Sequence, residues 1–156
     1  MSEIAIGQLA PDFEMPIDGG ATVALSGLKG KSVVLYFYPK DDTSGCTSQA
    51  IAFTETIDKF RALSCEVIGV SKDKVSSHDK FKAKYDLDVT LASDFGTEVC
   101  ETYGVWVEKS IYGRKYFGIE RTTFLIDKNG TIINIWRKVK VPGHDETVLK
   151  AVQELV

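Results

Sequence analysis

Residues 33–38 form an almost unbroken apolar run that leads through a short turn into a helical pattern. The run reads Val-Val-Leu-Tyr-Phe-Tyr, and the turn that follows it contains Pro39, Thr43, Gly45 and Cys46. A continuous apolar run of this kind predicts a central strand that is covered on both faces. Because such a strand needs further structure packed on each side, this feature favours an α/β fold.

Hydrophobic periodicity predicts the other elements of the chain. Short alternating segments around residues 18–20 predict an N-terminal hairpin, and Asn129-Gly130 predicts the turn of a second hairpin. The remaining strands are predicted at 67–70, 89–92, 122–127 and 131–136. The first predicted helix has Thr43 as its N-cap and an apolar stripe from Ala50 to Leu63. Further helices are predicted from Ser76 or Ser77 through Phe81 and Tyr85, from Ser93-Asp94 through Val99 and Tyr103, and at the C-terminus with Val148, Leu149, Val152 and Leu155.

The order of these elements predicts a three-layer α/β/α sandwich with a mixed central sheet and an N-terminal β-hairpin. Thioredoxin-like topology fits this order best, although the order alone also suits other α/β folds. Since no repeat, low-complexity segment or linker interrupts the sequence, residues 1–156 are predicted to form a single domain.

Composition and charge exclude several classes of function. The net charge of −3 and the absence of a basic block argue against nucleic acid or an anionic membrane surface as a partner. The sequence shows no signal peptide and no apolar stretch near the ~20 residues of a membrane span. Three cysteines at wide, irregular spacing do not suggest a secreted disulfide framework, so a cytoplasmic location is expected. No metal site is predicted, because the cysteines form no CxxC pair and the two histidines lie far from them.

Cys46 lies where a helix is predicted to begin, with Thr43 as its N-cap. The free N–H groups and partial positive charge of a helix N-terminus favour a thiolate over a thiol. Arg121 precedes a predicted strand, and strand ends gather at one edge of such a sheet, so its guanidinium is expected near the sulfur. The Thr43 hydroxyl is expected to face the sulfur or an incoming oxygen, and Pro39 to fix the turn and shield the sulfur from water.

The spacing Pro39-x-x-x-Thr43-x-x-Cys46 resembles the signature of the peroxiredoxins, which are thiol peroxidases with a thioredoxin-like fold. Residues 36–41 together with Gly45-Cys46-Thr47 are similar to the bacterioferritin comigratory protein branch, also called peroxiredoxin Q. Further similarity extends over the whole chain, at residues 10–13, 93–94, 103–106, 118–121 and 124–127.

The resemblance implies a thiol-dependent peroxidase that reduces hydrogen peroxide and organic hydroperoxides without a cofactor. Cys46 would be the peroxidatic cysteine, Thr43 would hydrogen-bond the peroxide, Arg121 would stabilise the thiolate and the transition state, and Pro39 would shield the site. The backbone N–H groups of Gly45 and Cys46 would bind the peroxide oxygens. The resulting sulfenic acid would be reduced by thioredoxin, glutaredoxin or a small thiol, and the branch suggests a monomer.

Three positions depart from the pattern of this branch. Many members have proline where this chain has Ser44. Members place a resolving cysteine either five residues after the peroxidatic one or in the following helix, and this chain has Ile51 and Lys82 there. We therefore predict a one-cysteine mechanism, in which an external thiol reduces the sulfenic acid.

Cys65 and Cys100 are the other two thiols of the chain. Each is most simply a small buried hydrophobic residue. An intramolecular disulfide between Cys46 and Cys100, or less readily Cys65, is the alternative to resolution by an external thiol.

Two rival functions use the same cysteine. A non-enzymatic redox sensor would be oxidised at Cys46 without turnover, and a cysteine hydrolase would need His78 or His144 as its base. His78 is predicted to be an exposed helix residue, and His144 a polar residue at the start of the final helix. Tyr38 and Trp106 are expected in the core or the pocket wall.

Overall fold

The computed structural model describes residues 4–155, which contain nine β-strands, four α-helices and two short 3₁₀ turns. The strands are β1 (Glu14–Pro16), β2 (Thr22–Ala24), β3 (Ser32–Phe37), β4 (Cys65–Ser71), β5 (Thr90–Ser93), β6 (Trp106–Ile111), β7 (Arg114–Ile119), β8 (Thr122–Ile126) and β9 (Ile132–Trp136). The helices are α1 (Ser44–Ala62), α2 (Val75–Tyr85), α3 (Val99–Thr102) and α4 (His144–Gln153).

The central sheet has the strand order β5-β4-β3-β8-β9. Strands β3, β4 and β5 are parallel, whereas β8 runs antiparallel to β3 and to β9. Because Phe37 pairs with Thr122, the end of β3 and the beginning of β8 lie at the same edge of the sheet. This topology brings the start of α1 and Arg121 to that common edge.

Alternate residues of β3 pack on opposite faces of the sheet, as the strand period of two requires. Val34 and Tyr36 contact the apolar sides of α1 and α4 and Phe81 of α2. Val33, Leu35 and Phe37 face a second core that α3, β1 and the end of β7 supply. The three-layer α/β/α prediction is confirmed, although the helix on the second face is only the four-residue α3.

Most predicted elements are present close to their predicted bounds. The structure confirms the hairpin β1–β2, the central strand β3, helix α1 with Thr43 as N-cap, the hairpin β8–β9 and the final helix α4. Among residues 4–155, no helix is both long enough and apolar enough to span a membrane.

Two predicted helix starts and one side-chain exposure are wrong. Helix α2 has Lys74 as N-cap instead of Ser76 or Ser77, and the Ser77 hydroxyl donates to Asp41. Helix α3 begins at Val99, five residues after the predicted Ser93-Asp94 start. The Asp94 carboxylate nevertheless accepts hydrogen bonds from the N–H groups of Val99 and Cys100, at 3.0 and 2.8 Å. It therefore stabilises the start of α3, although it lies outside the helix.

His78 was expected at the surface, but its side chain is completely buried. The expectation failed because it ignored helix periodicity. His78 lies three residues before Phe81 and therefore on the same, inward face of α2.

His144 is the first residue of α4 and is buried against β8. Its Nε2 atom lies 2.8 Å from the Thr123 hydroxyl oxygen. Burial lowers the pKa of His144 to about 4 from 6.5, against the opposing effect of the Asp145 carboxylate. The folded protein therefore holds this imidazole in its neutral form at neutral pH.

We expect His144 to make the folded protein less stable as the pH falls from about 6.5 to about 4. In that window the His144 imidazole binds a proton in the unfolded chain but not in the folded protein. The free energy of unfolding therefore decreases by up to roughly 2–3 kcal/mol and then levels off. Urea denaturation of wild type and His144→Asn at pH 7, 5.5 and 4 measures this effect. The variant should show the shallower pH dependence, and equal slopes would contradict the assignment.

Candidate active site

The loop between β3 and α1 places Cys46 in the first helical turn. In the described part of the chain, the first backbone hydrogen bond of the helix runs from the Thr47 N–H to the Thr43 carbonyl, at 2.8 Å. The N–H groups of Ser44, Gly45 and Cys46 precede this ladder and carry the positive end of the helix dipole. The sulfur therefore lies in a region of positive potential formed by the backbone.

Thr43 occupies the N-cap position, but its side chain does not cap the helix. Its hydroxyl instead donates to the Lys40 carbonyl at 2.8 Å and closes the loop on itself. Because that bond uses the single hydroxyl proton, the Thr43 oxygen is left as an acceptor for a donor that enters the site. Pro39 and Thr43 are both exposed, whereas Cys46 is only 2% exposed.

Arg121 reaches the sulfur from the beginning of β8. Its Nη2 group lies 3.3 Å from the Cys46 sulfur, and its Nη1 group donates to the Gln49 side-chain oxygen at 2.6 Å. A guanidinium offers donors in a fixed planar arrangement, so the bond to Gln49 determines where the other donor points. The predicted contact between Arg121 and Cys46 is present in the structure.

Gln49 is a site residue that the sequence reasoning missed. It lies three residues after Cys46 and therefore on the same face of α1, and it is 1% exposed. Its spacing from Cys46 in the helical pattern was visible in the sequence, whereas its burial and its bond to Arg121 are visible only in the structure. Its role in the structure is to hold the Arg121 side chain.

Gly45 lies directly against the guanidinium. A Cβ atom at this position would approach Arg121 Nη2 to 3.1 Å, so a larger residue would require the guanidinium to shift by a few tenths of an ångström. Gly45 therefore fits against the guanidinium because it has no side chain.

Of the two aromatic residues expected in the core or the pocket wall, one is completely buried and the other is half-buried. Tyr38 is completely buried, as predicted, and so is Tyr36, whose ring stacks on Phe53 with centroids 4.8 Å apart. Burial raises the pKa of Tyr36, and a negative charge on Cys46 would raise it further, so this hydroxyl stays protonated. Trp106 is half-buried, with the Lys72 ammonium 5.0 Å from the centre of its ring.

Cys100 is separated from Cys46 by the central sheet. Cys46 packs with Tyr36 and Phe53 on one face, and Cys100 packs with Leu35 and Phe37 on the other. Burial raises the pKa of the Cys100 thiol, and the neighbouring Asp94 carboxylate raises it further. In this conformation, Cys100 is neither placed nor ionised to attack an oxidised Cys46.

Cys65 lies on the same face as Cys46 but at the opposite edge of the sheet. It pairs with Ser32 at the start of β3, whereas Cys46 follows the end of that strand. Five strand residues separate the two edges by about 16 Å, and a disulfide needs Cα atoms within about 7 Å. Burial also raises the pKa of the Cys65 thiol to about 12.

Comparison with known proteins decides the class of this molecule. The profile of the AhpC/TSA family matches residues 6–135. The chain belongs to this family. A putative peroxiredoxin Bcp of Coxiella burnetii is 53% identical over 141 residues, which cover 90% of this chain and 93% of that protein. The peroxiredoxin Bcp of Bacillus subtilis is 47% identical over 152 residues, with 97% of each chain covered.

Solved peroxiredoxin structures have the same fold. A cysteine-to-serine mutant of peroxiredoxin Q from Xylella fastidiosa superimposes with a TM-score of 0.93 at 37% identity, covering 99% of this chain and 98% of that one. The bacterioferritin comigratory protein of Xanthomonas campestris, described for its alkyl peroxide reduction activity, gives 0.86 at 40% identity, with 91% and 90% covered. The thioredoxin-like prediction is thereby confirmed, and the chain is a thiol-dependent peroxiredoxin of the Bcp/peroxiredoxin Q group.

Proposed function

We propose that Cys46 is the residue that reacts with the peroxide and that an external thiol returns it to the reduced state. The observation that carries this proposal is the sulfur's position in the first turn of α1, 3.3 Å from the Arg121 guanidinium. Helix dipole and guanidinium both stabilise a thiolate, which is the nucleophilic form of cysteine.

The peroxide would enter with its O–H group directed at the Thr43 oxygen, which is left as an acceptor by the bond to Lys40. The Cys46 thiolate attacks the oxygen that carries the proton, the S–O bond forms and the O–O bond breaks. The products are a sulfenic acid and an alkoxide or hydroxide, which takes a proton from solvent. The N–H groups of Gly45 and Cys46 and the Arg121 guanidinium stabilise the negative charge on the departing oxygen.

Resolution by an external thiol is supported by the separation of the three cysteines. Cys100 lies across the sheet, and Cys65 lies at its other edge. A first external thiol condenses with the sulfenic acid, forming a mixed disulfide and water. A second thiol exchanges with this disulfide, releasing reduced Cys46 and an external disulfide.

Organic hydroperoxides are proposed as substrates alongside hydrogen peroxide, since a relative with 40% identity is described for alkyl peroxide reduction. Thioredoxin, glutaredoxin and small thiols are the proposed reductants. The monomeric state, the cytoplasmic location and the single domain over residues 1–156 stay predictions from the sequence.

Intact-protein mass spectrometry after one equivalent of peroxide, in the absence of added thiol, tests the one-cysteine mechanism. We expect the gain of a single oxygen at Cys46, and its conversion to a mixed disulfide when a small thiol is added. Loss of two hydrogens, with a Cys46–Cys100 or Cys46–Cys65 bridge in the peptide map, would contradict this mechanism.

The same sample distinguishes the enzyme from a redox sensor. With dithiothreitol in excess, the enzyme should consume many equivalents of peroxide per protein molecule. Consumption that stops after a single equivalent would favour the sensor.

A further inference from the structure

His78 is buried in a polar cluster next to the active-site loop. Its Nδ1 atom lies 2.7 Å from an Asp41 carboxylate oxygen, and its Nε2 atom lies 3.0 Å from the Ala92 carbonyl oxygen. The imidazole is completely inaccessible to solvent, and Asp41 is 7% exposed. The peroxidase chemistry described above assigns no role to this histidine.

The protons in this cluster can be counted from its hydrogen bonds. A carbonyl oxygen can only accept, so the Nε2 atom of His78 must carry a proton. The 2.7 Å contact with Asp41 requires a second proton between Nδ1 and the carboxylate. The pair therefore holds one proton more than a neutral imidazole and an ionised carboxylate would hold together.

Neighbouring donors place that proton on the histidine. The Tyr38 hydroxyl donates to one Asp41 oxygen at 2.5 Å, and the Ser77 hydroxyl donates to the other at 2.8 Å. Burial and the nearby Asp41 carboxylate raise the pKa of Tyr38, so it stays a donor. Hydrogen bonds from donors stabilise the carboxylate form, which makes the cluster an imidazolium–carboxylate pair.

Asp41 connects this pair to the reacting groups, because it lies within the loop that joins β3 to α1. Its side chain bonds to α2 through His78 and Ser77, and its backbone N–H donates to the Asp73 carboxylate at 2.9 Å. The following residue, Asp42, has a left-handed backbone conformation, with φ of 59°. The Lys40 carbonyl, which holds the Thr43 hydroxyl, directly precedes Asp41.

We propose that protonated His78 is a positioning residue for peroxide reduction, which acts by holding Asp41 and thereby the Pro39–Thr43 loop over Cys46. This inference rests on the proposed role of Cys46. His78 does not touch the reacting atoms; it fixes the backbone that presents the Thr43 oxygen to the peroxide. A misplacement of about 1 Å at such a group costs up to about a hundredfold in rate.

The imidazole is surrounded by groups from several elements of the fold. The groups that face the imidazole are Asp41 from the loop, Tyr38 directly after β3, and the Ala92 carbonyl from β5. Asp73 adds a carboxylate on the far side of Asp41, and Ser77 adds a hydroxyl from α2 itself.

Nitrogen NMR of the wild-type protein tests the protonation state without any substitution. Both ring nitrogens of His78 should give imidazolium shifts at pH 7, because each lies within hydrogen-bond distance of an acceptor oxygen. A neutral tautomer at pH 7 would overturn the proposal.

Substitutions at His78 test its effect on the reaction. Stopped-flow oxidation by peroxide needs the loop, whereas alkylation by iodoacetamide needs only the thiolate, so the ratio of the two rate constants reports positioning. For His78→Ala we expect this ratio to fall by about tenfold or more. His78→Asn keeps a donor near Asp41, so its ratio should return most of the way to the wild-type value. His78→Gln, whose amide reaches toward Ala92 instead, should recover less.

Asp79→Asn is the matched control. Asp79 is the next residue of α2, and its carboxylate accepts the Gly19 N–H at 2.8 Å, away from the loop. We expect its ratio to equal that of wild type. If the ratio is unchanged in His78→Ala, the role of His78 is overturned and the proposed role of Cys46 is not affected. If the wild-type protein does not react with peroxide, the proposed function itself is overturned.

Discussion

Replacing Cys46 with serine is expected to lower peroxide reduction by at least about 10³-fold, the scale of losing a catalytic nucleophile. A serine hydroxyl is not ionised at neutral pH, so the helix N-terminus and Arg121 have no anion to stabilise. The substitution changes one atom of a side chain that is 2% exposed, so the fold should be retained. A coupled assay with dithiothreitol and hydrogen peroxide measures the effect.

The other two cysteines provide the controls. Cys65→Ala and Cys100→Ala remove buried thiols that lie away from the site, and alanine avoids burying a new hydroxyl. Both variants should retain turnover close to that of wild type, with some loss of thermal stability from the smaller side chain. Activity in Cys46→Ser, or its loss in either alanine variant with an intact fold, would contradict the proposed role of Cys46.

Replacing Arg121 with glutamine is expected to slow the reaction of Cys46 with peroxide by about 10²- to 10³-fold, the usual cost of removing one preorganised donor to a developing charge. The substitution removes the positive charge beside the sulfur and leaves the Gln49 oxygen without its donor. The rate of Arg121→Lys should lie between those of wild type and Arg121→Gln. An ammonium keeps the charge, but it cannot bond the sulfur and Gln49 in one fixed plane.

Arg61→Gln is the matched control for the loss of an arginine. Arg61 lies near the other end of α1 and bonds the exposed Asp88 carboxylate at 2.8 Å. An exposed pair of this kind contributes at most about 1 kcal/mol to stability, so the rate with peroxide should not change. Stopped-flow rates for the four proteins at one pH make the comparison, and a wild-type rate in Arg121→Gln would contradict the role of Arg121.

Much of the fold followed from the sequence because its core elements have strong periodic patterns. The run at residues 33–38 became the central strand, and the stripe through Phe53 and Phe60 became the buried face of α1. The hairpin β6–β7 was missed because its strands are largely exposed and show little hydrophobic alternation. Its turn at Tyr112-Gly113, with positive φ at both residues, lacks the Asn-Gly signal that marked the hairpin β8–β9.

The site was predictable where local sequence determines it and not where a distant contact does. Helix spacing and the peroxiredoxin resemblance placed Cys46, Thr43 and Arg121 near one another. The Thr43 hydroxyl donates to the Lys40 carbonyl, and the Gln49 side chain orients Arg121. Both contacts depend on side-chain packing, so the sequence did not predict them. The hydrogen bond between His78 and Asp41 joins residues that are 37 positions apart, so no local sequence pattern predicted it.

The most direct test of the central claim is turnover by a chain whose sole cysteine is Cys46. The double variant Cys65→Ala/Cys100→Ala should reduce peroxide with an external thiol at a rate close to that of wild type, because each step then needs only Cys46 and the added thiol. Dimedone should trap its sulfenic acid after one equivalent of peroxide. A folded double variant that reacts once with peroxide and then stalls in the presence of thiol would show that Cys65 or Cys100 resolves the sulfenic acid, and would contradict the one-cysteine mechanism.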